Sequence, residues 1–396
     1  MTEALGIEQV SLFTSRAKHA IALVAMVILS ACSVVPKGPP KTVEAPPVIE
    51  TPTTPSLPTD TARHRVALLV PMTGTNAGVG EAIANAANMA VLDTGGKTIR
   101  ITTYDTATGA TAAAQKAIAE GNRLILGPLL AEDVRAVAAV GRAARVPLIS
   151  FSNDVSVAGN GTYVMGFVPT QAIDRVVSYA RGAGMARFAA LVPNNLYGQR
   201  SSSAMVRSVQ AAGGTLVGSE SFEPTAASIA GAVTKLSAAA PYDAILIAGS
   251  GKIAIQTVPL IRRSRGGQAK ILGTELWNTE SALTKSPVIH GAWFASVSDK
   301  LYGQLAVKYR TRFGKAPYRL SSLGYDSVLL VTKVAAGWRV GTPFPAGVLS
   351  DPGGFSGIDG AFRFGRDNVA ERTLEVQQVD ASGLTLISPA ARSFAK

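Results

Sequence analysis

Twice along this chain, apolar runs of strand length alternate with amphipathic stretches of helix length, and that repeated alternation constrains the fold more than any other feature. Val66–Val70, Ile99–Thr103, Leu124–Leu126 and Pro147–Ser150 read as strands buried on both faces. Between them, Gly80–Leu92, Thr111–Ala119 and Asp133–Ala144 read as helices. The last has Glu132 and Asp133 at its amino end and Arg142 and Arg145 at its carboxyl end, the polarity that a helix dipole favours. Strands and helices in this order predict a parallel sheet covered on both sides.

The pattern restarts with strands at Phe188–Val192, Thr215–Val217, Ala244–Ala248 and Lys270–Gly273. Helices are expected near Ser201–Ala212, Ala226–Ala239 and Lys252–Arg263, the first ended by Gly213-Gly214. Two β/α sets imply an α/β protein of two doubly wound lobes. Thr162–Val168 and Trp293–Val297 are the expected crossings between them. The tail differs: 354–357, 360–365 and 374–379 are short segments separated by glycine turns, which suggests a small antiparallel addition.

The amino-terminal segment follows other rules. Arg16, Lys18 and His19 precede an apolar core, Ala20–Leu29, and the small residues Ser30 and Ala31 lead to Cys32, the one cysteine of the chain. This is secretory-signal architecture. A core of about ten residues falls short of the ~20 that a membrane-spanning helix needs. The expected division is a signal over 1–31, with Cys32 as the lipid-modified residue, and a tether over 32–61. Pro36, Pro39, Pro40, Pro46, Pro47, Pro52, Pro55 and Pro58 recur in that tether. Such a segment favours extended polyproline conformation, which at ~3.1 Å per residue reaches roughly 90 Å. The folded domain is expected over 62–396.

Lysine and arginine number 38 against 26 acidic residues, a formal charge of +12. In an exported chain this balance suits contact with anionic envelope material or an acidic partner; no nucleic-acid partner is expected. With three histidines, His19, His64 and His290, a histidine base or a histidine metal cluster has little material. Ala248-Gly-Ser-Gly-Lys252 lacks the upstream glycine of a phosphate loop and has Ile253 where the hydroxyl belongs. Gly78-Val-Gly80 has Ile83 in place of the third glycine of a dinucleotide fingerprint. No enzyme, metal or cofactor is expected.

What remains is a cleft between lobes, where ligands gather at the carboxyl ends of strands. Those ends carry Thr73, Ser150, Ser152, Asn153, Tyr197 and Glu275, the expected site for a small polar ligand. The same short polar residues equally suit βα turns.

The runs Val66-Ala-Leu-Leu-Val-Pro-Met-Thr-Gly74, Ile125-Leu-Gly-Pro128, Val146-Pro-Leu-Ile-Ser150, Tyr197-Gly198 and Phe355-Ser-Gly357, leading to Phe362 and Gly365, resemble the type I periplasmic-binding family, leucine-binding branch, over residues 63–380. The resemblance implies two Rossmann-like lobes joined by hinge crossings, one about 62–167 and 318–350, the other about 168–317 and 351–396. In amino-acid-binding relatives, hydroxyls after the Gly-Pro turn and the Pro-Leu-Ile-Ser strand hold the carboxylate, an aromatic lies in the Tyr-Gly turn, and an acid meets the amino group. Tyr197 and Glu275 suit the last two roles. Gly127-Pro128, however, is followed by Leu129, Leu130, Ala131 and Glu132, without a hydroxyl.

The lipobox, spacer and binding domain together are similar to the penicillin-binding protein activators. That resemblance implies stimulation of a peptidoglycan synthase by direct contact, from a lipid anchor that Ser33 directs to the periplasmic face of the outer membrane. The alternative is the substrate-binding protein of a branched-chain amino-acid ABC transporter.

Overall fold

The structure, a computed structural model, describes residues 61–238, 241–278 and 280–394. The signal segment, Cys32 and the tether through residue 60 lie outside the described residues.

The first sheet is built from β1 (His64–Val70), β2 (Ile99–Asp105), β3 (Leu124–Leu126), β4 (Leu148–Ser150) and β5 (Thr162–Val164), in the order β2-β1-β3-β4-β5 and parallel throughout. Its helices are α1 (Ala77–Asp93), α2 (Ala110–Ala119) and α3 (Ala131–Ala144). Alternate residues of β1 enter opposite cores: Val66, Leu68 and Val70 face α1, while Ala67 and Leu69 face α2 and α3. A strand buried on both faces has no polar side, hence its uninterrupted apolar run.

The second lobe repeats the plan with α4 (Pro169–Gly182), β6 (Arg187–Pro193), α5 (Leu196–Ala211), β7 (Thr215–Phe222), α6 (Ala226–Ala238), β8 (Ala244–Ile247), α7 (Gly251–Arg262), β9 (Lys270–Gly273) and β10 (Trp293–Ser296). Here too β6 divides its side chains, Ala189 and Leu191 to one core, Phe188, Ala190 and Val192 to the other. The lobes share a local device. A Cβ on Gly80 in α1 would fall 1.8 Å from the Pro71 carbonyl oxygen, and one on Gly198 in α5 would fall 1.7 Å from that of Pro193. Each glycine lets the first helical turn settle directly onto the end of its strand.

The rest of the chain is α8 (Lys300–Phe313), α9 (Ser321–Ala335), β11 (Phe355–Gly357), β12 (Gly360–Phe364), β13 (Ala370–Arg372), β14 (Glu375–Asp380) and β15 (Gly383–Ser388). β14 and β15 add antiparallel to β10, giving the order β15-β14-β10-β9-β8-β6-β7. β11, β12 and β13 form a separate three-stranded antiparallel sheet.

Two expectations about the lobes need correction. The boundary expected at 317/318 moves to about 299, because α8 packs on the first lobe: Leu305 and Tyr309 are buried against Ala82 and Met89 of α1, and Asn85 Nδ2 donates to the Tyr309 hydroxyl at 3.0 Å. The return expected near 351 moves to about 373, since Phe355, Phe362, Phe364 and Ala370 join the core of β1 and α1. The expected crossings also begin as strands: Thr162–Val164 pairs with β4 and Trp293–Ser296 with β9. The chain therefore passes between lobes at 165–168, 297–299 and 373–374, directly after β5, β10 and β13.

Candidate functional site

Between the lobes lies a cleft of about 460 Å³. One wall is formed by Asn76 and Val79 at the start of α1, Leu129 and Leu130 after β3, and Phe151 and Asn153 after β4. Opposite stand Gln171 of α4, Glu275, Leu276 and Asn278 after β9, and Ser296 at the end of β10. Both walls come from carboxyl ends of strands and amino ends of helices, where parallel sheets place ligands.

Of the residues expected to line this cleft, Asn153 and Glu275 do so. Tyr197 stands behind Glu275, its hydroxyl 3.1 Å from Glu275 Oε1 and 2.9 Å from Thr274 Oγ1. Thr73, Ser150 and Ser152 are outside the lining and serve loops instead. Thr73 Oγ1 donates to Asp105 Oδ2 at 2.6 Å on the surface. Ser150 Oγ donates to the Pro128 carbonyl at 3.1 Å and accepts from the Ser152 amide at 3.0 Å, and Ser152 Oγ accepts from the Asp154 amide at 3.1 Å. Both serines are buried, so their hydroxyls satisfy backbone groups that water cannot reach.

Glu275 is the least ordinary acid of the wall. Burial pushes its carboxyl up to about 7, against the backbone and Tyr197 hydrogen bonds that favour the anion. Its Oε2 is buried without a hydrogen-bond partner. Burial, and then the neighbouring Glu275 charge, push the Tyr197 hydroxyl far up as well, so it remains a neutral donor.

The floor holds residues that the sequence reading missed. Arg319 and Arg372 both line the cleft. The guanidinium carbon of Arg319 lies 5.5 Å from the Phe167 ring centre and 4.1 Å from that of Tyr302, and that of Arg372 lies 5.0 Å from Phe167. Arg319 Nη2 pairs with Asp359 Oδ1 at 2.8 Å and its Nε approaches Asp299 Oδ1 at 3.3 Å. Asn278 Nδ2 donates to the same Asp299 oxygen at 2.9 Å, carrying the network into the second lobe.

Arg372 Nη2 donates to the Met165 carbonyl at 2.7 Å, and its amide donates to Gln171 Oε1 at 2.9 Å, so two of the crossings are tied together. Asp326, fully buried, accepts from the Ile358 amide at 2.7 Å and is raised by burial and by the Asp359 charge. The signal for this network was present in the sequence for its two carboxyls, as single charges inside apolar or small runs: Asp326 in α9 and Asp359 between glycine-flanked strands; Arg372, next to Glu371, carried no such mark. Among the described residues no cluster of three or more His, Cys, Asp or Glu side chains could hold a metal ion.

Two doubly wound lobes, three crossings and a cleft at the strand ends define a type I periplasmic-binding fold. The periplasmic binding protein family model matches residues 64–384, and the chain belongs to that family. The periplasmic ligand-binding protein of a branched-chain amino acid ABC transporter from Burkholderia xenovorans LB400 is similar in structure, with a TM-score of 0.66, 16% identity, and coverage of 83% of this chain and 96% of that one. The C-domain of LpoA from Haemophilus influenzae, a regulator of PBP1A, is similar with a TM-score of 0.64, 17% identity, and coverage of 82% and 99%. An uncharacterized protein of Rickettsia prowazekii (strain Madrid E) is 28% identical over 174 residues, 43% of this chain. The chain spans about half the length of that curated relative, 47%.

Proposed function

We propose that this protein is a lipid-anchored regulator of the cell envelope that stimulates a peptidoglycan synthase by direct contact. The observation that carries this reading is the pair Leu129 and Leu130, which present apolar side chains to the cleft at the turn where amino-acid receptors carry hydroxyls. A ligand carboxylate desolvated there would lose partners at a cost of about 1–3 kcal/mol for each unsatisfied group. An amino-acid receptor is disfavoured by that wall, and a contact regulator does not need the clamp. The likeness to the LpoA C-domain, the Leu-Ser-Ala-Cys32 signal and the proline-rich tether support the same reading. In it, Cys32 holds the chain at the periplasmic face of the outer membrane and the tether carries the folded domain toward the synthase.

One observation favours a second reading. The cleft is wide and carries Asn76, Asn153, Gln171 and Asn278 along an apolar lining, an arrangement that also fits the substrate-binding component of a transporter. Affinity capture from envelope extract separates the two. Recovery of a peptidoglycan synthase supports regulation, whereas recovery of an inner-membrane permease without a synthase refutes it.

A further inference from the structure

Asp154 stands in the loop after β4, in the first lobe, and is buried to 3% exposure of its side chain. Two arginines reach it from different lobes. Arg135 of α3, in its own lobe, places Nη2 at 2.8 Å from Oδ2, and Arg200 of α5, in the other lobe, places Nη2 at 2.6 Å from Oδ1. The Ser156 amide and hydroxyl also donate to Oδ1, at 2.9 and 2.6 Å. The chain of hydrogen bonds from Ser150 through Ser152 to the Asp154 amide fixes the loop behind it. Burial alone would raise this carboxyl; the Ser156 and Arg200 hydrogen bonds outweigh it and bring it down to about 2, so it stays charged.

We infer that Asp154 is a two-way latch that sets the balance between closed and open lobes by exchanging its ion pair with Arg200 for neutralisation by Arg135 alone. A buried carboxylate with one cation cannot let that cation go without leaving a bare charge. Here, opening breaks the Arg200 pair while Arg135 and Ser156 still compensate Asp154, so the bond between lobes can break at modest cost. A second feature drives closure from the same place. Val155 of the first lobe and Leu196 of the second, 42% and 56% exposed, line one groove beside the latch together with Arg200. Drawing the lobes together at this rim buries apolar surface on both sides. The latch is independent of which partner the protein serves, because it concerns the hinge alone.

Opposite effects of the two arginines test the inference. Nitroxides at Ala139→Cys on α3 and Gln210→Cys on α5, both exposed positions, introduced in the full chain carrying Cys32→Ser, report the lobe separation by pulsed electron resonance. Arg200→Met should raise the open-to-closed ratio by about tenfold, the effect of losing one charge-assisted hydrogen bond. Arg135→Met should lower it, since opening would then strand Asp154. Should Arg200→Met fail to fold, Arg200→Lys, which keeps the charge and gives up the planar fork, is expected to shift the ratio in the same direction by less. Distance distributions unchanged in both variants, or moved the same way by both, would overturn the latch.

Discussion

The hydroxyl of Tyr197, which is not among the residues lining the cleft, lies 3.1 Å from Glu275 Oε1, and the other carboxyl oxygen is buried without a partner. Burial outweighs the backbone and Tyr197 hydrogen bonds that favour the anion, so the folded state holds the Glu275 proton up to about 7, above its ordinary 4.5. The folded chain thus binds a proton that the unfolded chain has released. Stability from this group is complete below about 4.5, falls as the pH rises, and levels off above about 7, a loss on the order of 3 kcal/mol across that range. Denaturant unfolding of Glu275→Gln should show a flatter profile over the same window. An equal slope in wild type and variant would place the proton elsewhere.

The hinge network should be costly to break. Arg372→Met removes a cation from beside the buried Asp326 and Asp359 and should destabilise the fold by about 3–5 kcal/mol in urea unfolding. A change below about 1 kcal/mol would mean that the two carboxyls do not depend on this guanidinium.

The wall formed by Leu129 and Leu130 predicts no binding of leucine, isoleucine or valine at micromolar concentration. Isothermal calorimetry decides this, and micromolar or tighter binding of any of the three would favour the transport reading.

Much of the architecture was legible because a parallel strand buried on both faces has to be apolar along its whole length, and runs such as Val66–Val70 and Ala244–Ile247 show it without context. Lobe membership of the later elements was not. The buried face of α8, with Leu305 and Tyr309, states that the helix packs on something apolar and is silent on which lobe supplies it. The cleft was half legible for a similar reason. Glu275 and Asn153 line it, while Ser150 and Ser152, of the same polar kind at the same strand end, hold their own loop. Arg319 and Arg372 stand at opposite ends of the stretch between the second and third crossings and come together only at the Phe167 ring, so no local spacing relates them.

The anchor reading predicts that Cys32→Ala releases the protein from the membrane fraction into the soluble periplasm on cell fractionation. Retention of a mature-sized variant in the outer membrane would sink it. Deleting about 20 residues of the tether should lower the effective concentration of the domain at its partner in cells. Stimulation of the purified synthase should be unaffected, and loss in both assays would make the tether a contact surface.

The most direct measurement is reconstitution of the purified full chain with a purified bifunctional peptidoglycan synthase, following glycan polymerisation and peptide cross-linking on a lipid-linked precursor. A severalfold, saturable rise in either rate as the protein is added is the predicted result. Unchanged rates at saturating protein, for every synthase of the host envelope, would contradict the account.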